Sequence, residues 1–322
     1  MNCFLLINKP KGLTSFDVIF KLRKILNEKS IGHAGTLDKI ATGLLLVAVG
    51  KQALKLLEFL IGLDKVYEAE MILGMESDTY DITGKIKNEK LKLENVTMEN
   101  LLHILQSFEG KIEQIPPKFS ALKINGKRAS DRVRAGEEIQ MKSRIVKIFK
   151  IESIEYGIWN MESFIKKFPN LLNFDIPHPI CSIPYSLFTV HCSSGTYIRS
   201  LIHDIGQKLG CGAVMSNLRR TKIGIFTINQ AVTLEKLEEI VRNTTLQPSV
   251  SGEQVISIDE MVQKIFLKID LNKVEFDRIK VGKEILDRFT LNATLIAGFF
   301  ESKLVSILKK DHNSLKVYKN FV

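Results

Sequence analysis

The sequence predicts an α+β protein: a large mixed domain over residues 1–242, a linker over 243–255 and a small β domain over 256–322. Three observations predict it. Val66 to Leu73 alternates Tyr67, Ala69, Met71 and Leu73 against Glu68 and Glu70, the period of a half-buried strand. Tyr197 to Leu209 instead places Ile198, Leu201, Ile202, Ile205 and Leu209 on one helical face, with Gly210 just past the end. Asn243 to Gly252 is rich in turn formers, and short β-rich runs (Thr294 to Phe300, Lys303 to Leu308) follow it.

The elements follow in order. Cys3 to Ile7 reads as a strand and Asn8-Lys9-Pro10-Lys11-Gly12 as a turn. Ser15 is the expected N-cap of a helix carrying Phe16, Ile19, Leu22 and Leu26 on its inner face. Gly32-His33-Ala34-Gly35-Thr36-Leu37-Asp38 comes next, a flexible turn bearing one carboxylate. It runs into the apolar strand Leu44 to Val49. Lys51 to Leu60 has helical periodicity, and Gly74 to Gly84 is a polar loop. Thr97 caps a helix bearing Leu101, Leu102, Leu105 and Phe108, closed by Gly110. Ile145 to Tyr156 and Leu187 to Cys192 read as paired strands. Gly157 to Ser186 between them is long for a connection and is taken as an insertion. Asn217 to Thr221 leads into Gly224-Ile225-Phe226, and Thr233 to Val241 is a short helix.

Hydrophobic content of 45% and charged content of 25% are ordinary for a soluble protein of 322 residues. No apolar run approaches a membrane span of roughly 20 residues. The short N-terminal apolar run lacks a preceding cationic region, so a strand is expected there and not a signal peptide. Cys3, Cys181, Cys192 and Cys211 show no CxxC spacing, which argues against zinc and a disulfide framework and for a reduced cytoplasm. The net charge of +10 suits a polyanionic partner, although a lysine-rich genome produces the same balance. Its distribution says more. Residues 111–136 hold Lys118, Lys123, Lys127, Arg128, Arg132 and Arg134 against Glu113 and Asp131 alone. This segment is either a solvated basic loop or an arm that contacts phosphates.

No GxxxxGK[ST] loop, GxGxxG after a strand or HExxH is present, so nucleotide-hydrolysing and zinc-protease readings have no anchor. Asp38 fits two roles, a cap on a turn or a nucleophile. A nucleophilic carboxylate must be ionised although partly desolvated, which requires a cation beside it. Arg199, next to the apolar stripe of its helix, is the best-placed candidate, although a surface arginine fits that position too. Tyr67 is either a core tyrosine or an aromatic platform beneath a base. His33 is a turn histidine or an RNA contact.

Several blocks, in order, resemble the TruB family of tRNA pseudouridine synthases. They are Asn8 to Asp17, Gly32 to Asp38 with Ala41 to Leu45, Lys65 to Glu68 with Asp78 to Gly84, Pro116 to Lys123 with Gly126, and Cys192 to Leu201 with Leu209 to Ala213 and Leu218 to Arg220. The resemblance covers most of residues 1–230. It implies the pseudouridine synthase fold, a bent, mixed, mostly antiparallel sheet flanked by helices, with a small PUA-like β domain at the C-terminus. It implies isomerisation of uridine 55 in the T-loop of tRNA, without cofactor or metal, by a cytoplasmic enzyme expected to be a monomer with no obligate protein partner. By the same resemblance Asp38 is the catalytic aspartate, Tyr67 stacks on the flipped base and Arg199 pairs with Asp38. Tyr197 and Leu218 wall the pocket, His33 contacts the RNA loop, and Lys123, Lys127 and Arg128 lie on an arm (residues 111–136) that grips the T-arm. Two departures stand out: Lys39 occupies the usual proline position after Leu-Asp, and Ser130 replaces an aromatic after the arm glycine. Two competing expectations are a non-catalytic tRNA-binding or tRNA-folding protein and a synthase acting on another RNA.

Overall fold

The computed structural model describes residues 1–87, 93, 96–171, 182–243, 255–289 and 292–322. Most of the linker expected at 243–255 therefore lies outside the described residues. The chain forms two compact units, Met1–Asp38 with Leu45–Ile61 and Asn229–Val322, and Lys39–Leu44 with Gly62–Ile228.

In the first unit, β1 (Cys3–Lys9) pairs antiparallel with Val255–Ser257. β2 (Ile31–His33) pairs antiparallel with the second half of β3 (Thr42–Val49), His33 opposite Val47. Helix α1 (Ser15–Ile25) packs Val18, Ile19 and Leu22 against Leu5, Ile7, Val47 and Leu237. Its N-cap is Thr14 and not the expected Ser15. Thr14 Oγ1 accepts from Asp17 N, and the Asp17 carboxylate accepts from Thr14 N, which closes a capping box. Phe16 is also not on the inner face. It is 60% exposed, because the buried stripe runs through Val18, Ile19, Leu22 and Leu26.

The C-terminal part of this unit is a small β domain, as expected. Its five strands run in the order Leu267–Asp270, Leu295–Phe300, Lys303–Asp311, Ser314–Asn320, Ile285–Leu286. The first pair is parallel and the others antiparallel. Ile269, Ile279, Ile296 and Leu308 fill its core.

The second unit holds a mixed, mostly antiparallel sheet. The start of β3 pairs parallel with Ala213–Ile223, Thr42 opposite Arg219 and Gly43 opposite Arg220. Then follow β4 (Lys65–Leu73), Ser182–Cys192, Arg144–Asn160 and Gly110–Gln114, all antiparallel. Register shifts between Met215 and Asn217 and between Arg220 and Lys222 bend the strand beside β4. The helix Ile198–Leu209 buries Leu201, Ile202, Ile205 and Leu209 and ends at Gly210, whose φ of 74° only glycine adopts without strain. Thr97 caps Met98–Gln106, but that helix stops at Ser107 and Gly110 opens the next strand.

The insertion expected at 157–186 is strand at both ends, since Gly157 pairs with Tyr185 and Asn160 with Ser182. Trp159 stacks on Tyr185 at 3.9 Å, which extends the hairpin beyond the alternating pattern that marked it in the sequence. Residues 172–181 of the insertion lie outside the described residues. The basic segment is a strand edge (Gly110–Gln114), a short hairpin (Lys123–Ile124 with Lys127–Arg128) and the helix Ala129–Arg134. Among the described residues, no helix is long and apolar enough to cross a membrane.

Candidate active site

In the first unit, the Gly32–Asp38 block leaves β2 through a turn fixed at two points. Ala34 N donates to Leu46 O at 2.8 Å, and Leu37 N donates to Ser15 Oγ at 2.8 Å. Gly35 between them has φ 102°, a backbone state open to glycine and strained for other residues. Asp38 follows, half-buried, with Leu37 buried before it. His33 is half-buried on β2. The sequence-predicted carboxylate thus stands at the end of an anchored turn.

The other predicted residues belong to the second unit. Tyr67 is 8% exposed on β4. Its cross-strand partner is Arg220, whose guanidinium lies 6.0 Å from the Tyr67 ring centroid, and Leu218 pairs with Ala69. Positions two apart on a strand share a face, so Tyr67, Ala69, Leu218 and Arg220 lie on one side of the sheet. Tyr197 is the N-cap of the helix Ile198–Leu209. The buried Gln114 side chain binds its backbone twice, accepting from Tyr197 N at 2.8 Å and donating to Tyr197 O at 3.1 Å. Arg144 lies over the Tyr197 ring at 4.5 Å. Lys123, Lys127 and Arg128 are exposed on their hairpin.

Arg199 is a buried cation, 5% exposed. Within its unit it donates to Thr79 O at 2.9 Å and to Phe119 O at 3.0 Å, and its Nη1 lies 3.7 Å from Asp81 Oδ2. The guanidinium therefore ties its helix to the polar loop and to the start of the basic arm. Asp81 is itself buried, and its Oδ1 accepts from Thr79 Oγ1, Thr83 N and Thr83 Oγ1 at 2.5–2.9 Å. These donors and the nearby guanidinium fix the orientation of the Asp81 carboxylate.

In the second unit, the sequence reading missed three buried charges besides Arg199. Asp81 stood in plain view inside the polar loop, beside Glu76 and Asp78; its place in a block that resembles the family was the available signal. Arg220 is 1% exposed and donates from Nε to Leu44 O at 2.8 Å. This close approach explains Gly43: a Cβ there would stand 2.3 Å from the Arg220 carbonyl oxygen. Lys65 is 5% exposed and donates to Leu63 O. Burial, with Arg220 adding to it, pushes Lys65 down to about 8.

Comparison with known proteins gives the family. Residues 23–198 match the model of the TruB family pseudouridylate synthase (N terminal domain). The chain belongs to the TruB family. The model of the tRNA pseudouridylate synthase B C-terminal domain matches TruB residues 199–263. The tRNA pseudouridine synthase B of Clostridium acetobutylicum is 37% identical to this TruB chain, covering 99% of each. That of Clostridium tetani is 34% identical, covering all of both. A chain of a Cbf5-Nop10-Gar1 complex shares the TruB fold at a TM-score of 0.69 and 24% identity, covering 99% of this chain and 85% of that one. The expected pseudouridine synthase fold is therefore present.

Near Arg199 on the same helix, His203 stacks on Tyr80 at 4.0 Å, and burial raises the neighbouring Asp204 from the usual carboxylate range to about 6. A carboxyl whose folded pKa is raised costs nothing while protonated and destabilises the fold as pH climbs from about 4 through 6. Asp204→Asn is therefore expected to stabilise the protein by about 1–2 kcal/mol at pH 7.5, the full shift being discounted for partial exposure. At pH 4 the gain should vanish. Urea denaturation at both pH values checks this; equal effects at both would mean that burial does not perturb the carboxyl.

Proposed function

We propose that this enzyme isomerises uridine 55 in the T-loop of tRNA to pseudouridine, with Asp38 as the nucleophile. The observation that carries the reading is the Asp38 turn itself: in a member of the TruB family, the one carboxylate of the Gly32–Asp38 block is held half-buried at the end of a doubly anchored loop. The tRNA substrate is the one in the names of the curated relatives.

The reaction breaks the bond from ribose C1′ to N1 and forms one from C1′ to C5. N1 gains a proton and C5 loses one, so nothing is oxidised or reduced and neither cofactor nor metal is called for. The Asp38 carboxylate attacks the ribose or assists glycal formation, and both roles need it ionised, shielded and aimed. Arg199 is the cation that pairs with Asp38 in this reading, as the family resemblance implies. The base has to leave the loop stack before it can react. Tyr67 stacks on the extruded base and assists removal of the C5 proton, Tyr197 and Leu218 wall its pocket, and His33 contacts the loop. The C-terminal β domain adds RNA-binding surface. Buried, unbridged Cys3, Cys192 and Cys211 fit work in a reducing cytoplasm. Purified protein with an in vitro transcribed tRNA, and pseudouridine mapped by position, tests the reading: product at position 55 supports it, and product elsewhere or none overturns it.

Lys123, Lys127 and Arg128 grip phosphates from the arm. Replacing all three with alanine should weaken T-arm binding about 10-fold or more near physiological salt and reduce the slope of log K against log salt by roughly 2. An unchanged slope in a filter-binding titration would mean that the arm touches no phosphate.

A further inference from the structure

We propose that Ser15 is a positioning residue for Asp38: its buried hydroxyl clamps both backbone groups of Leu37 and thereby sets the aim of the carboxylate that follows. The proposal rests on the reading of Asp38 as nucleophile.

Ser15 is 1% exposed. Its Oγ accepts from Leu37 N at 2.8 Å and donates to Leu37 O at 3.2 Å. A serine hydroxyl offers one donor and two acceptor sites, so it can serve both groups of one residue. At the start of a helix, that hydroxyl would ordinarily be spent on the helix's own free N–H groups. Here Thr14 does that work, accepting from Asp17 N at 3.1 Å, and the Asp17 carboxylate accepts from Thr14 N at 2.8 Å and Thr14 Oγ1 at 2.7 Å. The capping box releases Ser15 for a contact 22 residues along the chain.

The clamp has a specific place in the loop. Upstream, the turn is tied to β3 through Ala34. From there to Leu37 the chain passes through Gly35, in its positive-φ state, and Thr36, which is exposed. Leu37, 3% exposed, is thus a second anchor, and it immediately precedes Asp38. Removing the hydroxyl leaves a buried N–H and C=O without this partner, and the peptide must shift to satisfy them. A displacement of about 1 Å at a reacting group costs on the order of 100-fold in rate.

The test measures single-turnover rate and Kd on a T-arm stem-loop for Ser15→Ala, Ser15→Thr, Ser15→Cys and Asp38→Asn, each normalised to its folded fraction. Ser15→Ala is expected to lose about 100-fold in rate with Kd within about 2-fold of wild type. Ser15→Thr, which keeps a donor and acceptor oxygen, should recover most of the rate, and Ser15→Cys, a weak hydrogen-bonding group, should recover less. Folded Ser15→Ala at wild-type rate beside inactive Asp38→Asn overturns the clamp alone, leaving the nucleophile reading intact. Wild-type turnover by Asp38→Asn overturns that reading and this proposal with it. If Ser15→Ala does not fold, Ser15→Thr and Ser15→Cys decide: equal normalised rates overturn positioning, and a faster threonine variant supports it.

Discussion

Asp38→Asn is expected to lower pseudouridine formation on a T-arm stem-loop by about 10³-fold or more, equivalent to about 4 kcal/mol of activation free energy, with RNA affinity near wild type. The amide is nearly isosteric with the carboxylate and removes only the charge and the nucleophilic oxygen. The turn should survive, because Ala34 and Leu37 anchor it through backbone groups that the substitution leaves unchanged. A loss confined to the rate therefore identifies an interaction made in the reaction and not in ground-state binding. Rate and affinity measured on the same RNA separate the cases. Full turnover by this variant would remove Asp38 from the chemistry, and the competing view of a non-catalytic tRNA-folding protein would be favoured by wild-type protein that binds but makes no product.

What could be read from the sequence was local. The alternation of Val66 to Leu73 placed Tyr67 inward on β4, and the stripe from Ile198 to Leu209 put Arg199 at a core edge, where it is 5% exposed. Thr97 and Gly210 marked helix ends through chemistry that acts within one turn. What escaped depended on contacts between distant segments. Ser15 looked like a cap because a cap is what a local rule can see; its acceptor and donor lie at Leu37. Phe16 matched the helical period but belongs to the exposed side. Asp81 sat in a loop whose polarity reads as solvation, and only the tertiary fold turns it towards Arg199. Gly43 looked like part of a motif; the β3 approach to Arg220 supplies its physical reason.

The second large effect is expected at Arg199. Its guanidinium holds three acceptors in two separate segments, Thr79 O, the Asp81 carboxylate and Phe119 O. A fork of this shape cannot be replaced by the single ammonium of lysine without losing at least one bond. Arg199→Ala leaves a buried Asp81 carboxylate facing no guanidinium and two carbonyls short of a donor. A loss of about 3–5 kcal/mol of stability is expected from breaking such a pair. Asp81→Asn alone leaves the two carbonyl bonds in place and should cost less. The pair is coupled, so the double variant Arg199→Ala with Asp81→Asn should be less damaged than the sum of the singles, because the second change removes the charge that the first stranded. Urea denaturation of all four proteins measures that coupling. The catalytic part is then read at a urea-free temperature where each variant is folded. If Arg199 also pairs with Asp38, Asp81→Asn should retain far more activity than Arg199→Ala, and Arg199→Lys should fall between them. Equal activity in Asp81→Asn and Arg199→Ala would confine Arg199 to holding the loop and the arm.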